Sequence, residues 1–142
     1  MKKHIVWLVL GLLIAPIANA ESFASLKEAR SVFERAMKAF QNEQITEGYS
    51  VLKPYWPMPG VELENLANTT NTQWPMVKQR FGPSIGTEFI LEEKAGNSLA
   101  RYVYLQKFEH HAIRWIFRLY KPRDKWVING VSFDDQIEQL FK

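Results

Sequence analysis

The sequence predicts an α+β domain in which N-terminal helices pack on a curved antiparallel sheet of about four strands. Three observations predict it. Apolar residues recur at helical spacing from Leu26 to Phe40. From Ile85 onward the period changes to alternation. Short turn signals then separate successive alternating stretches, which fits an antiparallel meander.

The first helix starts at a capping-box spacing, Ser25 followed by Glu28, where the Ser caps an orphan amide and the Glu reaches back. Its inward stripe is Leu26, Ala29, Val32, Phe33, Ala36, Met37 and Phe40. The stripe breaks at residues 41–44. Thr46 is then the expected cap of a short helix carrying Tyr49, Val51 and Leu52, which Pro54 stops. Tyr55-Trp56-Pro57-Met58-Pro59-Gly60 reads as an irregular connector or a lid over a pocket. A third helical stretch covers residues 61–81, with Leu63, Leu66, Trp74, Val77 and Phe81 inward. Residues 68–72 are poor helix formers and Pro75 suits a first turn, so a kink or two separate helices are expected. Gly82-Pro83 ends it.

The strands are expected over residues 85–93, 99–108, 112–121 and 125–133. In the first, Thr87, Phe89 and Leu91 share one face and Glu88, Ile90 and Glu92 the other. In the third, Ile113, Trp115, Phe117 and Leu119 oppose Arg114, Ile116, Arg118 and Tyr120. Tyr102, Tyr104, Ile116 and Tyr120 need cover, part of which a second subunit would supply. Asp134 is placed to cap a last helical turn through Leu140.

The chain ahead of this domain reads as a secretory signal. Lys2, Lys3 and His4 precede an uncharged apolar run over residues 5–17, then Ala18-Asn19-Ala20, the small-x-small pattern of a signal peptidase site. The run is shorter than the roughly 20 apolar residues of a spanning helix. The expectation is cleavage after Ala20, periplasmic or secreted location, and membrane contact only during export. The remaining residues, 21–142, form one domain. Removing 20 of 142 residues leaves 122, and the loss of Lys2 and Lys3 leaves 16 basic against 15 acidic residues. That near-neutrality argues against a nucleic-acid partner. The chain has no Cys, which excludes thiol catalysis, Cys metal sites and a thioether-linked lipid.

Few residues invite chemistry. His110 and His111 are the only histidines after cleavage; neighbours on a strand point to opposite faces, so they do not share a metal, and no metal site is expected. Each is a turn residue or a pocket-mouth acid or base. Asp134-Asp135 reads as a helix cap before a catalytic pair. Arg101, Arg114 and Arg118 are candidates for binding an anion, against cross-strand pairing with acids such as Glu88 and Glu92. No Gly-rich phosphate loop or nucleophile elbow is present, and no cofactor is expected.

The order of elements, with Glu47-Gly48-Tyr49 in the short helix, Arg80-Phe81-Gly82 closing the third and Lys125-Trp126-Val127-Ile128-Asn129-Gly130-Val131 in the last strand, resembles the nuclear transport factor 2-like superfamily. It is most similar to its small exported bacterial members of unknown function. The resemblance implies a cone-shaped fold, a pocket between helices and sheet, and a homodimer formed through a sheet face. Catalytic members use an Asp-His or Asp-Tyr pair in the cone, whereas the inward candidates here are Tyr49, Tyr102, Tyr104, Trp115 and Trp126. The expected function is therefore a non-enzymatic exported binding domain with an aromatic-lined pocket for a small molecule or peptide. The alternatives are an isomerase- or hydrolase-type enzyme using a His/Tyr pair and a structural partner in an envelope assembly.

Overall fold

The computed structural model describes residues 20–141. The expected signal segment, apart from Ala20, lies outside the described residues. The element order is α1 (Leu26–Gln41), α2 (Ile45–Leu52), a 3-10 turn (Lys53–Tyr55), α3 (Gly60–Phe81), β1 (Ser84–Ala95), β2 (Leu99–Phe108), β3 (Ala112–Tyr120), β4 (Val127–Asp134) and a second 3-10 turn (Ile137–Leu140). The four strands form one antiparallel sheet in the order β1-β2-β3-β4, and the helices precede it and pack on one face. This is the α+β architecture that the change of period predicts.

α1 begins as its sequence dictates. Ser25 Oγ accepts from the Glu28 N–H at 3.2 Å, and Glu28 Oε2 accepts from the Ala24 N–H at 2.9 Å. Its buried stripe includes Ala29, Val32, Phe33, Ala36, Met37 and Phe40. α2 departs from expectation: its N-cap is Gln44, and Thr46 lies inside the helix, where its hydroxyl accepts from Asn71 Nδ2. Gly48 of α2 sits against Phe40; a Cβ there would lie 2.3 Å from Phe40 Cε1, so only glycine lets the two helices approach this closely. The connector is packed, since Trp56 is buried.

α3 is one continuous helix with Pro75 inside it, not two. The weak segment is supported from outside: Tyr49 and Thr70 share a hydrogen bond, and Asn71 reaches Thr46. Tertiary contacts of this kind override a low helix propensity. Gly82 ends the helix at φ +83°, a left-handed conformation suited to glycine.

β1 carries the main surprise. A register shift between Phe89 and Leu91 inserts one residue, so Phe89 faces Tyr104 while Leu91 pairs with Val103 and Glu92 with Tyr102. The bulge turns Glu92 to the helix-covered face and Glu93 to the outer one, opposite Arg101. The single alternation expected for this strand therefore fails at its midpoint. Two further shifts occur: one between Ser84 and Gly86 at the start of β1, and one between Arg118 and Leu119 that leaves Asn129 as the extra residue of β4. Outside the sheet, Phe23 exchanges two backbone hydrogen bonds with Trp126, 2.8 and 2.9 Å, and its ring stacks on Tyr55 at 4.2 Å.

Candidate functional site

The helix-covered face of the sheet is filled by aromatic rings. Trp115 stacks on Phe40 at 4.0 Å and tilts against Phe133 at 4.8 Å, with no exposed surface of its own. Its indole N–H donates to Gln106 Oε1 at 2.9 Å, and Gln106 Nε2 donates to the Phe40 carbonyl and Ser84 Oγ. Gln106 is fully buried and its amide is engaged at both ends. The centre of the fold is thus a plugged, hydrogen-bonded core. It holds an amide where acid-base chemistry would need a titratable group. Gln106 was missed in the sequence; alternation along β2, which puts it in line with Tyr102, Tyr104 and Phe108, is the signal that could have found it.

The other aromatic candidates are dispersed. Tyr49 is buried, its hydroxyl 3.1 Å from Thr70 Oγ1, and it lines a cavity of about 300 Å³ between α2 and α3 together with Thr46, Lys53 and Glu64. Burial raises its phenol above the ordinary value, opposed by the Thr70 bond. Tyr102 packs edge-on against Phe33 and donates to the Leu26 carbonyl at 3.3 Å. Tyr104 is buried between Phe89 and Phe117, and its hydroxyl has no partner among the described residues. Burial pushes both phenols up, with Glu92 adding to the effect at Tyr102 and Glu34 at Tyr104. Arg30 lies 3.9 Å over the Phe89 ring and pairs with Glu34, which closes this side beneath α1. Trp126 is buried beside Phe23, with Lys121 Nζ 5.0 Å over its ring.

The two histidines are apart from all of these tyrosines. The His111 ring rests on Phe81 at 4.7 Å, and its Nε2 is 3.3 Å from the Asp135 carbonyl. His110 packs against Gly82 at the end of α3. Among the described residues no group of three or more His, Asp or Glu side chains converges on a metal position.

An open site lies where α3 crosses the ends of β3 and β4. There a groove of about 450 Å³ is floored by Val77, Phe81, Ile113 and Phe133, with Met76 standing 73% exposed at its lip. Arg80, Asp134 and Asp135 supply charge at the rim. Asp134 is engaged: Arg114 grips it through two bonds, 2.6 and 2.9 Å, and Asp134 also accepts from the Gln136 N–H. The Arg114 bond holds its carboxyl below the ordinary carboxylate range. Asp134 therefore anchors β3 to β4, but the expected cap is not formed: the last turn has Gln136 at its N-cap with no side-chain bond, because Asp134 ends β4 and its carboxylate reaches only the Gln136 N–H. Trp74 backs the groove, edge-on to Phe133 at 6.3 Å, and its buried indole N–H has no partner among the described residues. Only Val77 and Phe81 of this groove were inward choices from the helical stripe; Met76 falls off the stripe and Phe133 lies a whole strand away.

The arginines separate. Arg114 belongs to Asp134 and Gln139. Arg101 pairs with Glu93, and Arg118 donates to Ser132 Oγ at 2.9 Å. The pairing of Glu88 or Glu92 with Arg114 or Arg118 is not formed among the described residues, because β2 lies between β1 and β3 and the β1 bulge turns Glu92 to the helix-covered face. Ile116 is buried on the outer face, alongside Val103, with Arg114 and Arg118 on the same face two residues away in each direction.

Residues 22–139 match the model of a protein family described as a domain of unknown function, DUF4864, and the chain belongs to that family. No curated protein matches it.

Proposed function

We propose that this family member is an exported, non-enzymatic binding domain of nuclear transport factor 2-like fold, which takes an apolar ligand in the groove between α3 and the β3–β4 end of the sheet. The observation that carries this reading is the contrast between a plugged centre and an open apolar groove with a 73% exposed methionine at its lip. Burying Met76, Val77, Phe81 and Phe133 against a ligand supplies the driving force, at roughly 25 cal/mol per Å² of apolar surface covered. Arg80 and Asp135 at the rim orient a polar end of the ligand. Export rests on the basic start, short apolar run and Ala18-Asn19-Ala20 site.

The absence of turnover is supported by the chemistry of the residues present. Gln106 occupies the deep polar position, and the His111 ring lies against Phe81 with no tyrosine partner. The experiment is a titration that follows tryptophan emission, to which Trp74 behind the groove contributes, while anilinonaphthalene sulfonate or dodecanoate is added. Saturable binding is expected, and Met76→Glu should weaken it by about tenfold, since a carboxylate at the lip opposes apolar burial. Met76 is exposed, so the variant should melt as the parent does. Binding that is absent, or that Met76→Glu leaves unchanged, overturns the reading. N-terminal sequencing of the secreted or periplasmic protein should begin at Glu21.

A further inference from the structure

One row of residues crosses the outer face of the sheet in register: Glu93 on β1, Arg101 on β2, Arg118 on β3 and Gly130 on β4. Two arginines directly opposite each other on an antiparallel pair repel, so the row stores an unfavourable charge arrangement. Glu93 answers Arg101. No carboxylate among the described residues lies within ion-pair distance of Arg118, whose one side-chain bond is to Ser132 Oγ. Its flank is open as well. Gly130 brings no side chain beside it, and a Cβ placed there meets nothing within 4 Å. The adjacent bulge puts the extra residue, Asn129, at the same place.

Glu93, Arg101, Arg118 and Asn129 line a cavity of about 380 Å³ next to Gly130, and Lys94 lines it too. Its lining sets three cations, Lys94, Arg101 and Arg118, against the single carboxylate of Glu93. We infer that this cavity binds an oxyanion, a phosphate monoester or carboxylate group, clamped between the Arg101 and Arg118 guanidinium groups with the Asn129 amide beside them. A guanidinium presents its donors in a planar fork that fits two oxygens of one such group. A bound oxyanion supplies the negative charge that the row lacks. The site is separate from the α3 groove and does not depend on it.

Gly130→Glu provides a direct test, because it offers the missing carboxylate from the protein itself. The melting temperature of the processed domain is followed while sodium phosphate is raised against sodium chloride at matched ionic strength. Phosphate should stabilise the wild-type protein beyond the chloride effect by mass action. Gly130→Glu should melt higher than wild type without phosphate and gain nothing from it. The double variant Arg101→Gln, Arg118→Gln should also lose the phosphate response, while keeping the response of the α3 groove to dodecanoate. Vesicles containing phosphatidylglycerol, compared with phosphatidylcholine alone, distinguish a lipid headgroup from a free anion: sedimentation with the former alone assigns the site to a membrane surface. A wild-type response equal in phosphate and chloride, or a phosphate response that survives in the double variant, overturns the inference.

Discussion

The two faces of the sheet solve different problems with the same strands. Along β2 the helix-covered side carries Ala100, Tyr102, Tyr104, Gln106 and Phe108, all buried, while the outer side carries Leu99, Arg101, Val103, Leu105 and Lys107. The covered face is interlocked: Phe33 stacks on Phe117 and Phe40 on Trp115, so each ring is held by several others. The outer face is held by discrete charge pairs, Glu93 with Arg101 and Arg114 with Asp134. Interlocked packing leaves room for a ligand only at its margin, in the α3 groove, whereas discrete pairs leave donors unused. Stability and the apolar groove belong to the first face, and spare polar binding capacity to the second.

Three substitutions test that division, in decreasing order of effect. Trp115→Ala removes a fully buried ring and leaves the Gln106 carbonyl without its donor. Chemical denaturation should show a loss of about 3–5 kcal/mol, the range for truncating large core aromatics. A loss below 1 kcal/mol would mean that the covered face is not the stability centre.

Asp134→Asn breaks the strongest pair of the outer face and should cost about 1–2 kcal/mol at neutral pH. The Asp134 pKa is depressed by Arg114, so its contribution is fully present above the ordinary carboxylate range and disappears as pH falls through the lower folded value. The difference between wild type and variant should therefore narrow as pH drops below about 4. A gap that stays constant with pH would assign the loss to packing rather than charge.

Glu93→Gln addresses an exposed pair and should change stability by no more than about 0.5 kcal/mol. It should nevertheless tighten phosphate binding, since it removes the carboxylate that competes for Arg101. Weaker phosphate binding in this variant would show that Glu93 orients Arg101 for the anion instead of opposing it.

The fold was largely legible because periodicity is a local signal. The Ser25 box and the Leu26-to-Phe40 stripe specify α1, and alternation specifies β2 and β3 almost residue for residue. Pro75 and the Asn-Thr segment misled because their helix is supported by Tyr49 and Thr46 of α2, contacts that local propensity does not contain. The β1 face assignment failed at Ile90 because one inserted residue reverses every later side chain, and nothing in a run such as Phe89-Ile90-Leu91 marks which residue is the extra one. The site was harder still. Trp115 and Tyr104 have the composition of a pocket lining, but whether rings line a space or fill it depends on whether Phe40, Phe89 and Phe117 reach them. Met76 and Phe133 meet through tertiary structure alone.

The Phe23–Trp126 bridge has a consequence for the order of assembly. A residue near the start of the domain pairs with one that is synthesised late. Residue Phe23 cannot be fixed until β4 has emerged, and the apolar stripe of α1 has no sheet to cover it until β2 and β3 exist. All three helices are therefore completed while their partner surface is still missing. The nascent chain passes through a stage rich in exposed aromatic side chains, the state most prone to aggregation and most in need of a holdase. Closure comes late, with Trp126, just ahead of the last strand, locking Phe23 into place.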